Sequence, residues 1–416
     1  MRPHWRLIAG LLALAALIAV AVPLAAPGHS VVQAAGHGND PSWLLGLYGD
    51  GTGVGGGAYF DLERVAFPLY LVVCLCASAI PARLLKGAIV ALIAAFTLAP
   101  PLLSLDVFSY ISYARLETLY DLNPYKHVPL ERPGDAALVF IERWRDVTSA
   151  YGPLFTLGSL PLGGLGVGTA LWVAKVLTGL ATLALVRVVG RLAPARGLDP
   201  RPAMALVALN PLVLVHVVGG PHNDALTMLA ATGGVAAVLG AREATGGAAL
   251  LAAAAIKVSS GFIAPFALIG AAPRRGRLLF GAAAAGAAVA VASVAILGGG
   301  LLDSLAIAGE NQQRTSRHSF PVTIAHDLGI GVGAVRVGAL AAYALLIFYL
   351  LRWSWRGGDW VRAAGWAGLG LLLATSYLAP WYEIWVLPLA AISRDRWLVA
   401  GSLAFTGFVL MHQVPL

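Results

Sequence analysis

The stretch GAIVALIAAFTLAPPLLSLDVFSY, residues 87–110, decides how this chain is built. From Gly87 to Leu103 it carries no charge, and a span needs about 17–25 such residues to cross a bilayer. The apolar run ends at a boundary marked by Asp106. If 104–120 is helical, Asp106, Tyr110, Tyr113 and Glu117 share one face at i, i+4, i+7 and i+11. A carboxylate with aromatic neighbours at a membrane mouth suits a sugar-handling site or a proton relay. The plainer alternative is an acidic residue ending a transmembrane helix where it meets water.

Comparable apolar stretches recur along all 416 residues, which are 59% hydrophobic and 12% charged, with a mean hydropathy of +0.79. A soluble domain would carry about 25% charged residues. The expected fold is therefore all-α: a polytopic transmembrane helical bundle of about 11–13 spans with interfacial helices in its outer loops, one membrane-embedded domain over 1–416. Candidate spans are roughly 7–26, 66–80, 87–103, 167–186, 202–219, 224–241, 246–271, 278–298, 336–351, 362–378, 382–393 and 397–413. The segment 152–165, rich in Gly and Pro, is too short to span and reads as re-entrant or interfacial. Residues 1–27, with Arg2 and Arg6 ahead of an apolar run, read as a signal peptide or a signal anchor. Val32-Gln-Ala-Ala offers small residues for cleavage, and either outcome leaves residue 36 onward outside the cell. Cys74 and Cys76, the only cysteines, point to nearly opposite faces of a helix and suit neither a metal pair nor a disulfide.

The net charge of +8 does not point to nucleic acid, because the cations sit in short connections between apolar runs. They are Arg83 and Lys86; Arg187, Arg191, Arg196 and Arg201; Arg274, Arg275 and Arg277; Arg352, Arg356 and Arg362; Arg394 and Arg396. The positive-inside rule puts these in the cytoplasm, and the long connections 28–64, 104–150 and 299–335 outside. A single crossing over 246–271 would strand the Arg274 cluster on the outer side. A break after Lys257, where Gly261 and Pro265 follow, turns the segment into a hairpin of two half-helices and restores the alternation. With or without that hairpin, Asp106, Asn123, His222, Arg314 and Trp381 share one outer side. No internal repeat is visible.

Several polar groups on that side invite a chemical reading. In Tyr120-Asp-Leu-Asn-Pro-Tyr-Lys-His-Val-Pro, the prolines end the preceding helix, and Asn123 and Tyr125 suit a sugar cleft as well as an ordinary turn. Tyr151-Gly-Pro-Leu returns to the membrane boundary, as a site residue or an aromatic anchor. Gly219-Gly-Pro-His-Asn-Asp groups His222, Asn223 and Asp224, of which capping explains one. Lys257 lies inside an apolar run, where a lysine needs a partner, a wet cavity or a path to the interface. A phosphate would be such a partner. Arg314, Arg317 and His318 can converge on one helical face and clamp a phosphate, against the alternative of a solvated basic loop. Trp381 and Tyr382 follow Pro380 as cleft residues or as part of an aromatic belt. The match to G-x-G-x-x-G at Gly51–Gly56 neither follows a strand nor opens a helix and is discounted. An outward enzyme without nucleotide access needs an activated donor that crosses the membrane, such as a lipid-linked phosphosugar.

In these residues the chain resembles the GT-C class of polytopic glycosyltransferases. It is most similar to the actinobacterial polyprenol-phosphomannose-dependent α-mannosyltransferases of lipomannan synthesis. The resemblance rests on Asp106-Val-Phe-Ser-Tyr, Asn123-Pro-Tyr, Tyr151-Gly-Pro-Leu, Asn210-Pro, His222-Asn-Asp-Ala-Leu, Lys257 with Pro265, and Pro380-Trp-Tyr. It implies hexosyl transfer, mannose first among the sugars, from a polyprenyl phosphate to a glycan or glycolipid acceptor of the cell envelope, on the outer face and with inversion. It implies Asp106 as general base, and Lys257, Arg314, Arg317 and His318 on the donor phosphate. Tyr110, Asn123, Tyr125, Tyr151, His222, Asn223, Asp224, Trp381 and Tyr382 would contact the sugars. Asp106 lacks the second acid common in this class, so no metal is expected, and no cofactor beyond the lipid-linked donor. The alternative is a transporter of small polar solutes in which Asp106, His222 and Lys257 form a proton relay.

Overall fold

A computed structural model describes residues 4–27, 41–49, 54–141, 143–298, 303–311 and 313–412. Arg2, the Val32–Ala35 stretch and Gly51 to Gly53 lie outside the described residues. Among the described residues the regular structure is helical, as the apolar periodicity requires. In chain order the helices are α1 (His4–Ala25), α2 (Gly56–Cys76), α3 (Ala82–Leu98), α4 (Asp106–Tyr120), α5 (Pro153–Gly163), α6 (Val167–Ala195) and α7 (Pro200–Ala208). A π-helix over Val213–Gly219 leads to α8 (Asp224–Leu239) and α9 (Glu243–Ile256). A 3-10 turn, Val258–Ile263, joins α9 to α10 (Ala264–Gly270). There follow α11 (Arg275–Leu297), α12 (Asp303–Asn311), α13 (Phe320–Leu328), α14 (Val332–Trp355) and α15 (Trp360–Ala374). Pro380–Trp385 is again 3-10, ahead of α16 (Leu387–Ile392) and α17 (Arg396–His412).

Four of these helices, α1, α6, α11 and α14, are by themselves long and apolar enough to cross a membrane. The pair of α7 and the π-helix, bent by 62°, would make a fifth. The other expected spans map onto helices that are shorter or more polar, so length and composition support fewer crossings than the 11–13 expected. Breaks in the apolar runs account for the difference. Asn210-Pro interrupts the run over 202–219, because Pro211 denies the helix a donor and the Asn210 side chain accepts from Leu212 N–H at 2.9 Å instead.

The run over 246–271 breaks at Lys257, whose backbone is extended (φ −150°, ψ 114°). Whether it then turns back can be read from the packing of α9 on α11. A Cβ at Gly281 would lie 1.9 Å from the Ala244 carbonyl oxygen, one at Gly247 1.9 Å from that of Leu278, and one at Gly286 3.0 Å from Leu251. Later residues of α9 meet later residues of α11, so the two helices run in the same direction. The chain between them must therefore return, and α10 is the returning arm. Arg274 accordingly reaches Glu243 at 3.2 Å, closing the base of the hairpin. The expected hairpin is present, with Lys257 at its tip. Small residues allow the close approach, as in many membrane helix pairs.

The cation-rich connections gather at the end of the bundle away from that tip. There Arg196 pairs with Asp359, Arg362 with Asp395 at 2.7 Å, and Arg201 with Asp199 at 2.7 Å. The core runs through the middle, built from α1–α3, α6–α8 and α15–α17. A second cluster, centred on Phe108, Ile111, Leu162 and Leu171, seats α4 against α5 and the start of α6.

The α9–α11 contact generates a direct test. Gly247→Ala presses a methyl into backbone that cannot swing aside, and overpacking of this kind costs about 1–3 kcal/mol. A lower thermal unfolding midpoint in detergent is expected for that variant. Gly261→Ala, which meets nothing within 4 Å, should leave the midpoint unchanged. Equal midpoints for the two variants would contradict the packing described.

Candidate active site

The site is assembled where three apolar segments end. Pro100 and Pro101 stop the run from α3, and Leu102 N–H then donates to the Gly219 carbonyl at 3.2 Å. Leu103 takes a left-handed φ of 54°, a conformation that costs a non-glycine residue about 1–3 kcal/mol. The chain is thereby turned so that Ser104 Oγ accepts from Asp106 N–H at 3.2 Å and α4 begins. Lys175, fully buried on α6, donates to the same Gly219 carbonyl at 2.7 Å. It thus joins the approach to Asp106 to the approach to His222.

On the other side of Gly219, Asp224 opens α8 with no exposed surface. Both of its oxygens accept from Lys257 Nζ at 2.8 Å, and Trp385 Nε1 donates to Oδ1 at 2.6 Å. The Lys257 ammonium also lies over the rings of Tyr382 at 4.8 Å and Trp385 at 5.4 Å. The tip of the hairpin is held from a third direction: Gly152 N–H donates to Ile256 O at 3.1 Å. A Cβ at Gly152 would stand 2.2 Å from the Ala255 carbonyl oxygen, which explains glycine in the Tyr151-Gly-Pro motif.

Asp106, Tyr151, Lys257, Trp381 and Tyr382 line one open cleft together with Tyr113, Trp144, Tyr377 and Trp385. Asp106 is about one fifth exposed, at 20%, so a hydroxyl entering the cleft can reach it. Burial raises its carboxyl to about 6; Lys257 opposes that shift and Asp224 adds to it, while the Trp144 indole bonds to the ionised form. His222 stands behind the cleft wall, fully buried, its ring stacked on Trp381 at 3.5 Å. Its Nδ1 lies 3.6 Å from Asp106 Oδ2. Burial, with the nearby Lys257 charge, depresses its pKa, so the contact is between a neutral ring and a carboxyl rather than an ion pair.

The remaining expected residues lie further out. Tyr110 and Asn223 face a second, more apolar pocket beside the first, bounded by Phe155, Leu177 and Ile256. The Tyr110 ring meets Tyr151 and Phe155 edge to face at 4.8 Å, which joins the two spaces. Asn123 is occupied in its turn, Oδ1 accepting from Tyr125 N–H at 2.9 Å and Nδ2 donating to the Leu297 carbonyl. The Tyr125 hydroxyl lies 2.9 Å from both the Tyr151 carbonyl and Thr156 Oγ1. Neither residue lines the cleft. Arg314, Arg317 and His318 do not share a helical face, because bends and turns join α12 to α13 there. Arg314 alone of the three reaches the cleft rim, its guanidinium 4.8 Å over the Trp144 ring. His318 instead meets His412 at the end of α17, ring centres 5.8 Å apart. Glu117, expected on the Asp106 face, sits more than two turns along α4 and outside the cleft.

Sequence reasoning passed over Trp144, Tyr377 and Trp385. Trp385 had a signal, at i+4 from Trp381 and i+3 from Tyr382. Trp144 and Tyr377 sit in irregular segments with no period to reveal them.

A family model described as alpha-(1->6)-mannopyranosyltransferase, N-terminal domain, matches residues 7–273, well over half of the chain. The chain is 30% identical over 352 residues to alpha-(1->6)-mannopyranosyltransferase A of Mycobacterium tuberculosis, covering 76% of this chain and 68% of that protein. It is 28% identical over 187 residues to the protein of the same description from Corynebacterium glutamicum, covering 44% of this chain and 38% of that one. A probable alpha-(1->6)-mannopyranosyltransferase of Mycolicibacterium smegmatis is 31% identical over 137 residues, 32% of this chain and 24% of that protein. No solved structure matches. A carboxylate facing cations across an aromatic cleft fits what these likenesses establish, that the chain belongs to the alpha-(1->6)-mannopyranosyltransferase family and is a multi-pass membrane glycosyltransferase of GT-C type.

Proposed function

We propose that this enzyme moves a mannosyl unit from a polyprenyl-phosphate donor to a hydroxyl of a glycan or glycolipid acceptor, forming an α-(1→6) linkage with inversion, in a cleft that opens to the outer side of the membrane. The observation that carries this reading is Asp106 lining one cleft with Lys257, under a rim that holds Arg314. The aromatic walls suit the apolar faces of a pyranose. The transporter alternative finds no support in the family.

In the reaction, Asp106 accepts the proton of the acceptor hydroxyl as its oxygen bonds to the anomeric carbon. The bond from that carbon to the phosphate oxygen breaks, and its electron pair stays on the departing polyprenyl phosphate. That group gains a negative charge as it leaves. Arg314 and the one Lys257 proton not spent on Asp224 are the donors suited to meet it, an effect often worth several kcal/mol of barrier. A carboxyl raised to about 6 is a stronger base than an ordinary aspartate and still ionises at neutral pH. The apolar pocket beyond Tyr110 offers the first isoprene units a lateral path. Asp224 and His222, both without exposed surface, serve as supports for Lys257 and Asp106 rather than as sugar contacts.

Asp106→Asn should lower transfer by about 10²–10⁴-fold at an unchanged unfolding midpoint, measured in membranes supplied with labelled polyprenyl-phosphomannose and a glycolipid acceptor. Near-normal turnover by that variant would remove Asp106 from the chemistry. The base must be ionised, so kcat/KM for the parent enzyme should fall as pH drops through about 6 and level off above it. A profile flat from pH 5 to 8 would contradict this assignment. Lys257→Met strands a buried carboxylate and should destabilise the fold by about 3–5 kcal/mol. Adding Asp224→Asn should recover most of that stability without restoring transfer, whereas full recovery of transfer would show that Lys257 serves the fold alone. Arg314→Gln should leave the fold intact and cut kcat/KM for the donor about tenfold or more. An unchanged donor kcat/KM would exclude Arg314 from the phosphate.

A further inference from the structure

A further cavity lies far from the cleft, in the groove between α3, α6 and α7. Its walls are apolar, formed by Ile89, Val90, Leu183, Val186 and Met204. Its rim is cationic, with Lys86 from α3 facing Arg187 and Arg191 from α6. All three are exposed, and no carboxylate of the described residues lies within 4.0 Å of them. Arg201, which also borders the groove, is already committed to Asp199 at 2.7 Å and to the Ile80 carbonyl at 3.2 Å. Arg187 and Arg191 are one turn apart on one face, where like charges repel unless an anion lies between them. The lining contains no acid.

The groove belongs to the opposite leaflet. Lys175 on α6 holds the Gly219 carbonyl beside the catalytic cleft. From there α6 advances about 18 Å to Arg187 and about 24 Å to Arg191, at 1.5 Å per residue. From the start of α6 at Val167 the same rise puts Arg187 about 30 Å and Arg191 about 36 Å along the helix. A hydrocarbon core is about 30 Å thick, so these two cations and the Lys86 facing them fall toward the far headgroup level. The Arg196–Asp359 ion pair lies at the same end.

We propose that this groove is a binding site for an anionic phospholipid of the leaflet opposite the cleft. The lipid's phosphate sits among Lys86, Arg187 and Arg191, and one acyl chain lies along Val90, Val186 and Met204. The match is one of shape and charge together: an apolar trough ending in cations that have no carboxylate partner among the described residues. Guanidinium groups bind phosphate through paired donors, and basic pockets between membrane helices take anionic headgroups. Gly190 opens the floor of the groove, for a Cβ there would lie 2.7 Å from Met204 Sδ, the far end of a flexible side chain.

The test uses the full chain in a neutral detergent, titrated with dioleoyl phosphatidylglycerol or dioleoyl phosphatidylcholine and read by native mass spectrometry. The parent protein should retain the anionic lipid in clear preference to the zwitterionic one. Lys86→Gln with Arg187→Gln and Arg191→Gln should weaken that retention about tenfold or more. Arg352→Gln with Arg356→Gln, which removes charge at the same end but outside the groove, should not. Gly190→Leu keeps every charge, fills the floor and should also weaken retention. No preference in the parent protein would overturn the proposal. So would equal losses in the groove and control variants, which would mean general surface charge. Full retention by Gly190→Leu would overturn it too, because the headgroup would then be held without the groove.

Discussion

The pairing of Lys257 with Asp224 is the interaction on which the architecture of the cleft depends. Either charge alone at this depth would be costly, and together they are stable only with excellent geometry and further donors. Both conditions are met: two contacts of 2.8 Å and a third donor, Trp385. The pair therefore draws three separate segments to one point, namely the start of α8, the tip of the hairpin and the 3-10 turn at Pro380–Trp385. Asp106 is not part of the pair but feels both members, the ammonium favouring its ionised form and the carboxylate opposing it. Burial thus sets the level of the Asp106 carboxyl, and an ion pair whose Lys257 lines the same cleft tunes it.

The supports around this pair are unusual helical geometries at the ends of apolar runs. The π-helix that ends at Gly219, the extended Lys257 and the left-handed Leu103 each interrupt a regular element within the same region. Interrupted helices at membrane depth are tolerated only where other groups satisfy the freed backbone. Lys175 and Leu102 do so for Gly219, and Gly152 does so for Ile256. A further buried pair, His216 Nε2 with Glu63 Oε1 at 2.9 Å, ties the π-helix to α2. These breaks are what leave room for a polar cleft in an otherwise apolar body.

Much of this was readable from residue order. Apolar run length marked the helices, and the charge of the connections required a turn at Lys257, since a straight crossing would have misplaced Arg274. The same reasoning places Asp106, Asn123, His222, Arg314 and Trp381 on one side. What escaped it was local. Asn123 and Tyr125 look like sugar ligands by type, but a turn before proline consumes the first in an Asx bond and burial consumes the second. Arg314, Arg317 and His318 were grouped by helical spacing in a segment that is not helical, so only one of them reaches the rim. Lys175 drew no notice in a long apolar run, where its two carbonyl partners come from segments distant in sequence.

The loop bearing Arg314 is stitched to the cleft wall that carries Tyr377. Ser316 N–H donates to Ser376 O at 2.8 Å, and Ser316 Oγ donates to Leu378 O at 2.8 Å and accepts from Leu378 N–H at 3.0 Å. Tyr377, between those anchor points, belongs to the cleft itself. Any swing that parts this wall to admit a bulky guest must carry the guanidinium away with it, and reclosure must bring charge and wall home in one stroke. The positions of the charge and of the wall therefore share a single mechanical coordinate, while the hairpin is held to α11 by close contacts at Gly247, Gly281 and Gly286.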